Sequence, residues 1–445
     1  MERRFERRRE EVLADCQVPP AVFNGMMERL LTFAAPYVQR LCRPEQREHA
    51  RTYLQGLLSD LQRKNAEAIA YRHDEERQGL QTFIGTAPWD DQPLRDELAR
   101  QVGRELGESD GVLVFDPSAF AKKGNRSVGV ARQWCGRLGK TENCQVAVFL
   151  GYVSRKERAL VDMRLYLPEA WTKDRPRLKA AGVPREQRRF RTRHALALEM
   201  LRSKGPLLPH GWITGDDEMG RPAWFRRELA GISERYLLAV PSNTTIRDLE
   251  AEPPVYRGRG RRPKVGFQQV AKWCESLPAG VWTRLEVRDG AKGPVEVEIV
   301  QRRVRAKIDG KVGPEETLVV IRSLDEEKKV KTDYHLSNAS PGTPLAEFAR
   351  VANAEHRIEE CIKRGKSEAG MAQYQVRNWR GWHHHVTLCL IAVWFLLCEA
   401  RRGKKMDARD HGSPNPQTIV PNPAACLRLR QARPHPPRMY SLAAT

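Results

Sequence analysis

Between Glu2 and about Gly107, apolar positions recur at helical spacing: Val22, Met26, Leu30 and Leu31 in one run, Tyr53, Leu57 and Leu61 in another. Arg and Glu fill the other faces, and Pro19-Pro20, Pro36, Pro44 and Pro88 punctuate the segment. β-branched runs are nearly missing. The pattern predicts a small all-α domain over 1–107, whose arginines suit either DNA backbone contacts or a solvated helix surface.

At Gly111 the period changes. Gly111–Phe115 is a short apolar run ending in Asp116-Pro117, which reads as a buried strand whose last residue emerges at a sheet edge. Val146–Val153 and Ala159–Leu167 read as two further strands, paired antiparallel, before a helix over Arg193–Ser203. Gly211–Gly215 is another apolar strand and also ends in acids, Asp216-Asp217. A helix near Ala223–Ala230 and a strand over Tyr236–Val240 complete the first part of an α/β core, 108–250.

The texture turns β-rich over 251–338. The basic, glycine-containing stretch Arg257–Lys264 leads in, Val295–Gln301 alternates strictly, and Thr317–Arg322 is a further strand. After Pro341 a helical segment carries Ala346, Ala349, Ala352 and Ala354, then Ile358-Glu359-Glu360. An apolar helix around Thr387–Leu397 follows, so 339–400 returns to the core as C-terminal helices. From Gly403 the pattern collapses into a Pro- and Arg-rich tail, and 401–445 is expected to be disordered.

Charge narrows the partners. Lys and Arg number 77 against 56 Asp and Glu, a formal net charge of +21, which points to a polyanion: nucleic acid or an anionic membrane surface. Hydrophobic content of 40% with 10 Trp excludes a globally disordered chain. The 9 cysteines are scattered without a C-x-x-C pair, against both a disulfide framework and a structural zinc site. The charged start is no signal peptide, and the apolar run Val386–Cys398 is shorter than the roughly 20 residues of a membrane span. A cytoplasmic location fits all three observations.

Asp116 and Asp216 each end an apolar strand of one sheet, at the edge where open α/β sheets place their sites. Glu359 is a third acid, on a downstream helix. Converging carboxylates repel one another unless a divalent cation neutralises them, and hard oxygen ligands suit Mg²⁺ or Mn²⁺. Two such ions about 3.5–4 Å apart serve phosphoryl transfer. Plainer readings stand beside this one: a strand-terminal Asp often caps a helix, and Glu359 can pair with Lys363. His383-His384-His385 border an apolar helix and fit core packing better than metal binding. Trp379 and Trp382, at i and i+3, fit core packing or base stacking. Arg257–Lys264 fits a solvated linker or a nucleic-acid arm. No phosphate-binding G-x-x-x-x-G-K-[ST] loop is present.

Three ordered blocks carry a family resemblance. Lys122–Val146, with the word Lys-Lys-Gly-Asn-Arg-Ser, resembles the block after the first catalytic Asp of bacterial insertion-sequence transposases of the DDE type. The likeness is to the branch with a Tyr-Arg-Glu-Lys signature and a β-rich insertion before the last acid. Thr214-Gly-Asp-Asp-Glu-Met-Gly220 is similar to that branch's second-acid motif, and Arg357–Gly370 with Tyr374–Leu388 to its final block. The resemblance covers roughly 20–400. It implies an RNase H-like catalytic core, with an all-α, DNA-binding N-terminal domain and a β-rich insertion. It implies Asp116, Asp216 and Glu359 as acids holding two Mg²⁺ or Mn²⁺ ions, with Lys366, Lys122, Lys123 and Arg357 as DNA contacts. Glu359 and Lys366 keep the family spacing and, seven positions apart, share a helix face.

The implied function is an insertion-sequence DNA transposase, catalysing strand cleavage and strand transfer on element terminal inverted repeats and target DNA, as a homodimer near the bacterial nucleoid. Three positions depart from the pattern. Ala352 and Glu355 stand where the signature has Tyr and Arg, and Met219 stands where the family often has Tyr. Asp217 beside Asp216 leaves two neighbours for one role; the motif selects Asp216. Two rivals stay open: a nuclease of this fold that cuts without joining, and a transposase-derived DNA-binding protein with a silent site.

Overall fold

The computed structural model describes residues 24–410, apart from 259, 261–262, 291–292, 309 and 325–329. Its chain opens with α1 (Met26–Val38), α2 (Pro44–Leu57), α3 (Ala66–Arg72), α4 (Arg77–Gly85) and α5 (Gln92–Leu106). Pro44 starts α2, where its missing N–H costs nothing, and the Asn65 side chain caps α3 by accepting the Ala68 N–H at 2.8 Å. Pro36 lies inside the last turn of α1 rather than ending it. The apolar faces of these helices, including Leu30, Tyr37, Tyr53, Leu57 and Leu98, enter the same core as the sheet. The helical segment is thus built onto the α/β part. Residues 1–23, which the periodicity included, lie outside the described residues.

One mixed sheet organises the rest. Its strands are β1 (Val112–Ala121), β2 (Ala131–Cys135), β3 (Lys140–Val153), β4 (Arg158–Leu165), β5 (Trp212–Gly215), β6 (Tyr236–Val240), β7 (Thr245–Asp248), β8 (Gln268–Gln269), β9 (Thr283–Gly290), β10 (Gly293–Ile308), β11 (Lys311–Leu324) and β12 (Val330–Ser337). They run in the order β2-β3-β1-β5-β6-β12-β11-β10-β7-β8, with β4 on β3 and β9 on β10. β1, β5 and β6 are parallel, whereas β3 and β12 are antiparallel to their neighbours. The fold is mixed α/β.

β1 does not stop at Asp116 but continues to Ala121. Its pairing with β5 ends at Phe115↔Gly215, while pairing with β3 runs on to Ala121↔Cys144. Pro117 therefore sits where one edge of β1 is open, which a residue without an N–H tolerates. The 251–338 stretch is no separate body, because β10–β12 extend the same sheet. Val297, Ile299, Val319 and Ile321 join the main core, while Ile246, Trp273, Val304 and Leu336 line a smaller one.

Between the strands lie α6 (Glu169–Thr172), α7 (Arg175–Ala180), α8 (Arg193–Lys204), α9 (Asp217–Gly220), α10 (Ala223–Gly231) and α11 (Val270–Glu275). The C-terminal helices are α12 (Leu345–Glu368) and α13 (Trp379–Asp410). α12 lies along β1 in the same direction. Near its start Arg350 donates to the Asp110 carbonyl at 2.8 Å, and near its end Lys366 donates to Ser118 Oγ at 2.8 Å and to the Ala119 carbonyl at 2.9 Å.

Trp379–Gly403 of α13 is long and apolar enough to cross a membrane, at 25 residues and mean hydropathy 1.4, but 94% of its apolar window is buried inside the fold. It is a core helix, and the three histidines belong to its packing. His384 stacks on Trp89 at 3.5 Å, with ring nitrogens 3.0 and 2.9 Å from the Ile84 and Trp89 carbonyls. His385 lies 2.9 Å from the Tyr53 hydroxyl. α13 also runs past Gly403 to Asp410, where strong helix formers outweigh the single glycine. The remainder of the tail, 411–445, lies outside the described residues.

Candidate active site: carboxylates where two parallel strands part

Phe115↔Gly215 is the last pair between β1 and β5, so Asp116, within β1, and Asp216, just past the end of β5, lie at one level. Apolar residues bring both there: Val112–Phe115 and Trp212–Gly215 are fully buried, and each run delivers its acid to the point where β1 and β5 part. Asp216 is also a helix cap, as its plainer reading anticipated. Its Oδ1 accepts the Met219 N–H at 3.0 Å at the start of α9. Asp217 points away: it is exposed and lies 3.4 Å from Arg221. Of the two neighbours, only Asp216 faces the cleft. Met219, at the position where the resemblance expects Tyr, is buried beneath it.

α12 supplies the remaining acids. Ile358 fits over Gly151 of β3, where even a Cβ would fall 2.5 Å from its side chain. That contact sets the rotation of the helix, and Glu355 and Glu359, four apart, share its cleft-facing side. They differ sharply in depth. Glu359 is 75% exposed and 3.9 Å from His356, itself exposed, whereas Glu355 is half-buried against both aspartates.

The electrostatics follow from this crowding. Burial, with Asp216 and Glu359 beside it, pushes the Asp116 carboxyl up to about 8, with Lys366 opposing. Burial, then Glu218 and Asp217, pushes Asp216 up to about 7, against the Met219 N–H and Arg193. Burial, then Asp216 and Asp116, holds Glu355 well above the usual carboxylate range. Such a donor set resists ionising alone and is relieved by positive charge. Among the described residues no three His, Cys, Asp or Glu side chains stand close enough together to chelate an ion as they are. The chemistry of the donors, hard oxygens under mutual repulsion, nevertheless fits a divalent cation.

The basic residues named from the sequence take different places. Lys366 anchors the end of α12 to β1 and lies 4.7 Å from the Phe120 ring, close enough to Asp116 to lower its pKa. Lys122 lies over the Tyr374 ring at 3.4 Å, and burial pushes its ammonium down to about 8. Lys123 is exposed. Arg357 turns from the acids: its guanidinium donates to the Ser154 carbonyl at 3.0 Å and lies 3.6 Å from Glu157, because position 357 is on another helix face. Two groups at the cleft escaped sequence reasoning. Glu355 carried a signal, its i,i+4 spacing to Glu359. The Arg193–Glu218 ion pair beside Asp216 joins two helices distant in sequence and carried none.

A family model described as DDE superfamily endonuclease matches residues 36–294. The probable transposase for insertion sequence element IS701 of Microchaete diplosiphon is 41% identical over 99 residues, 21% of this chain. The chain spans a quarter of that relative's length, 25%. Among solved structures, a piggyBac transposase synaptic complex with hairpin DNA aligns over 93% of this chain and 81% of that one, at 10% identity and a TM-score of 0.36.

Proposed function

The chain belongs to the DDE superfamily endonucleases, and from that premise we propose that it is an insertion-sequence DNA transposase, cleaving and joining DNA strands by in-line phosphoryl transfer. The observation that supports the reading is that Asp116 and Asp216 lie at one level of adjacent parallel strands, with Glu355 and Glu359 of α12 near enough to act on their charge. The strand order β4-β3-β1-β5-β6, with β3 antiparallel and β1, β5 and β6 parallel, supports an RNase H-like core around it.

In this reading Asp116, Asp216 and Glu359 are the catalytic acids, and Glu355 faces the same cations from one turn earlier. Two Mg²⁺ or Mn²⁺ ions held there would polarise the scissile phosphate and favour an attacking oxygen at neutral pH. The Met219 N–H holds one oxygen of Asp216, and the other would be the one offered to a cation. Lys366 and the exposed Lys123 offer positive charge for backbone phosphates on either side of the acids. The helices of 24–107 and the 251–338 stretch would hold element ends, and two paired ends call for a homodimer.

The test is a strand-transfer assay with Mg²⁺, a plasmid target and DNA carrying the inverted repeats that flank the gene. Joined products are expected. Cleavage without joining would make the protein a nuclease, and binding with neither would make the site silent.

A further inference from the structure

The hairpin of β2 and β3 exposes apolar side chains that the acids do not use. β2 is the terminal strand of the sheet, and its burial alternates. Gln133 and Cys135 face inward, while Arg132 and Trp134 face outward, with Trp134 57% exposed. The turn adds Leu138, 45% exposed, held at the tip by Gly139 in the left-handed conformation (φ 61°). A Trp and a Leu that leave about half of their surface in water at a hairpin tip are only partly accounted for by packing within this chain.

The charge of the segment that carries them points to the partner. Between 121 and 145 there are six Lys or Arg (Lys122, Lys123, Arg126, Arg132, Arg137, Lys140) against one acid, Glu142. A protein partner for such a tip would have to be strongly acidic; duplex DNA already is. The base of the hairpin is tied to the cleft. Gln133 accepts from Arg193 at 3.4 Å, and Arg193 pairs with Glu218 beside Asp216. Position sets the reach. Asp116 pairs with Phe149, and Trp134 pairs with Thr141, eight residues further along β3. At about 3.3 Å per residue the tip stands roughly 26 Å from Asp116, about eight base pairs along a duplex lying on the cleft.

We propose that the β2–β3 hairpin is a DNA-gripping wedge: Trp134 and Leu138 press into a groove or base step of the duplex about eight base pairs from the scissile phosphate, with Arg132 and Lys140 on the flanking phosphates. The proposal rests on the DNA reading above and goes beyond it. Apolar side chains that part a base step bend the duplex and lengthen its contact with protein.

The test uses the full chain and a fluorescein-labelled 40-base-pair duplex, with binding followed by anisotropy across a salt series. Trp134→Ala/Leu138→Ala should weaken binding about tenfold and leave the salt dependence unchanged, because stacking and apolar contact are lost but no phosphate contact. Arg132→Ala/Lys140→Ala should instead reduce the salt slope by about two. Thermal unfolding of both variants should match the unsubstituted chain, since the altered side chains are solvent-exposed. Unaltered DNA affinity in both double variants would overturn the wedge while leaving the DNA reading in place. An unsubstituted chain with no affinity for the duplex would overturn that reading and the wedge with it. Loss of self-association in the apolar variant with full DNA affinity would assign the tip to a second copy of the chain and overturn the proposal.

Discussion

Ile358 of α12 sits on Gly151 of β3 with no room for a methyl group between them, a Cβ there falling 2.5 Å from Ile358 Cδ1 and Cγ1. This contact fixes the height and rotation of the helix that carries Glu355 and Glu359. Gly151→Ala should therefore cost about 1–3 kcal/mol by overpacking. Ile358→Ala alone should cost about 2–5 kcal/mol through the cavity it leaves. Combined, the two should cost clearly less than their sum, because the new methyl occupies vacated space. Chemical unfolding of the four proteins in the cycle measures this, and strict additivity would show that the contact does not set the helix.

The acids of α12 should separate by their depth. Glu355→Gln removes a crowded carboxyl that the metal-free fold holds at a cost, so its metal-free melting temperature should rise by a few degrees, the equivalent of about 1 kcal/mol. Its Mn²⁺ affinity by calorimetry should fall about tenfold or more. Glu359→Gln should leave metal-free stability unchanged, because that side chain is 75% exposed, and should reduce Mn²⁺-dependent cleavage. A stability gain in Glu359→Gln and none in Glu355→Gln would reverse the assignment of depth.

Acid should loosen the fold through α13. Burial pushes His383 and His385 down to about 4 from 6.5. Above pH 6.5 each is neutral both folded and unfolded, and the stabilising difference is fully present. As pH falls from 6.5 toward 4 the unfolded chain takes up protons that the folded chain refuses, and stability is lost. Each histidine accounts for roughly 3 kcal/mol over that window. Urea midpoints from pH 7.5 to 4.5 should drop steeply, and less steeply in His385→Asn. A flat profile would mean that these rings are not held neutral.

Much of this architecture is readable from pattern alone. Tyr236–Val240 has the bounds its apolar run predicts, and Arg193–Lys204 extends the predicted helix by one residue. Such runs are legible because local periodicity and burial agree. β1 is longer than its apolar run because β3 keeps pairing beyond Asp116, a long-range fact invisible in the strand itself. Glu355 stands out in the sequence only as a departure from the signature, and its depth beside the aspartates is not legible there. A helix face is legible as a period of 3.6, but which turn of that face enters the cleft depends on Gly151, some two hundred positions away. The direction of Arg357 is illegible for the same reason: the packing of α12 turns it toward Ser154.

If Asp116 belongs to a metal-dependent DNA-cutting centre, its carboxylate is needed for cutting and not for binding. Mn²⁺-dependent cleavage of inverted-repeat duplex DNA, compared between the unsubstituted chain and Asp116→Ala at equal DNA occupancy, tests it most directly. Asp116→Ala should bind the duplex with near-unchanged affinity and cut it more than about a hundredfold slower, beyond the loss usual for groups that only orient a metal ligand. Cleavage by Asp116→Ala at the unsubstituted rate would contradict it.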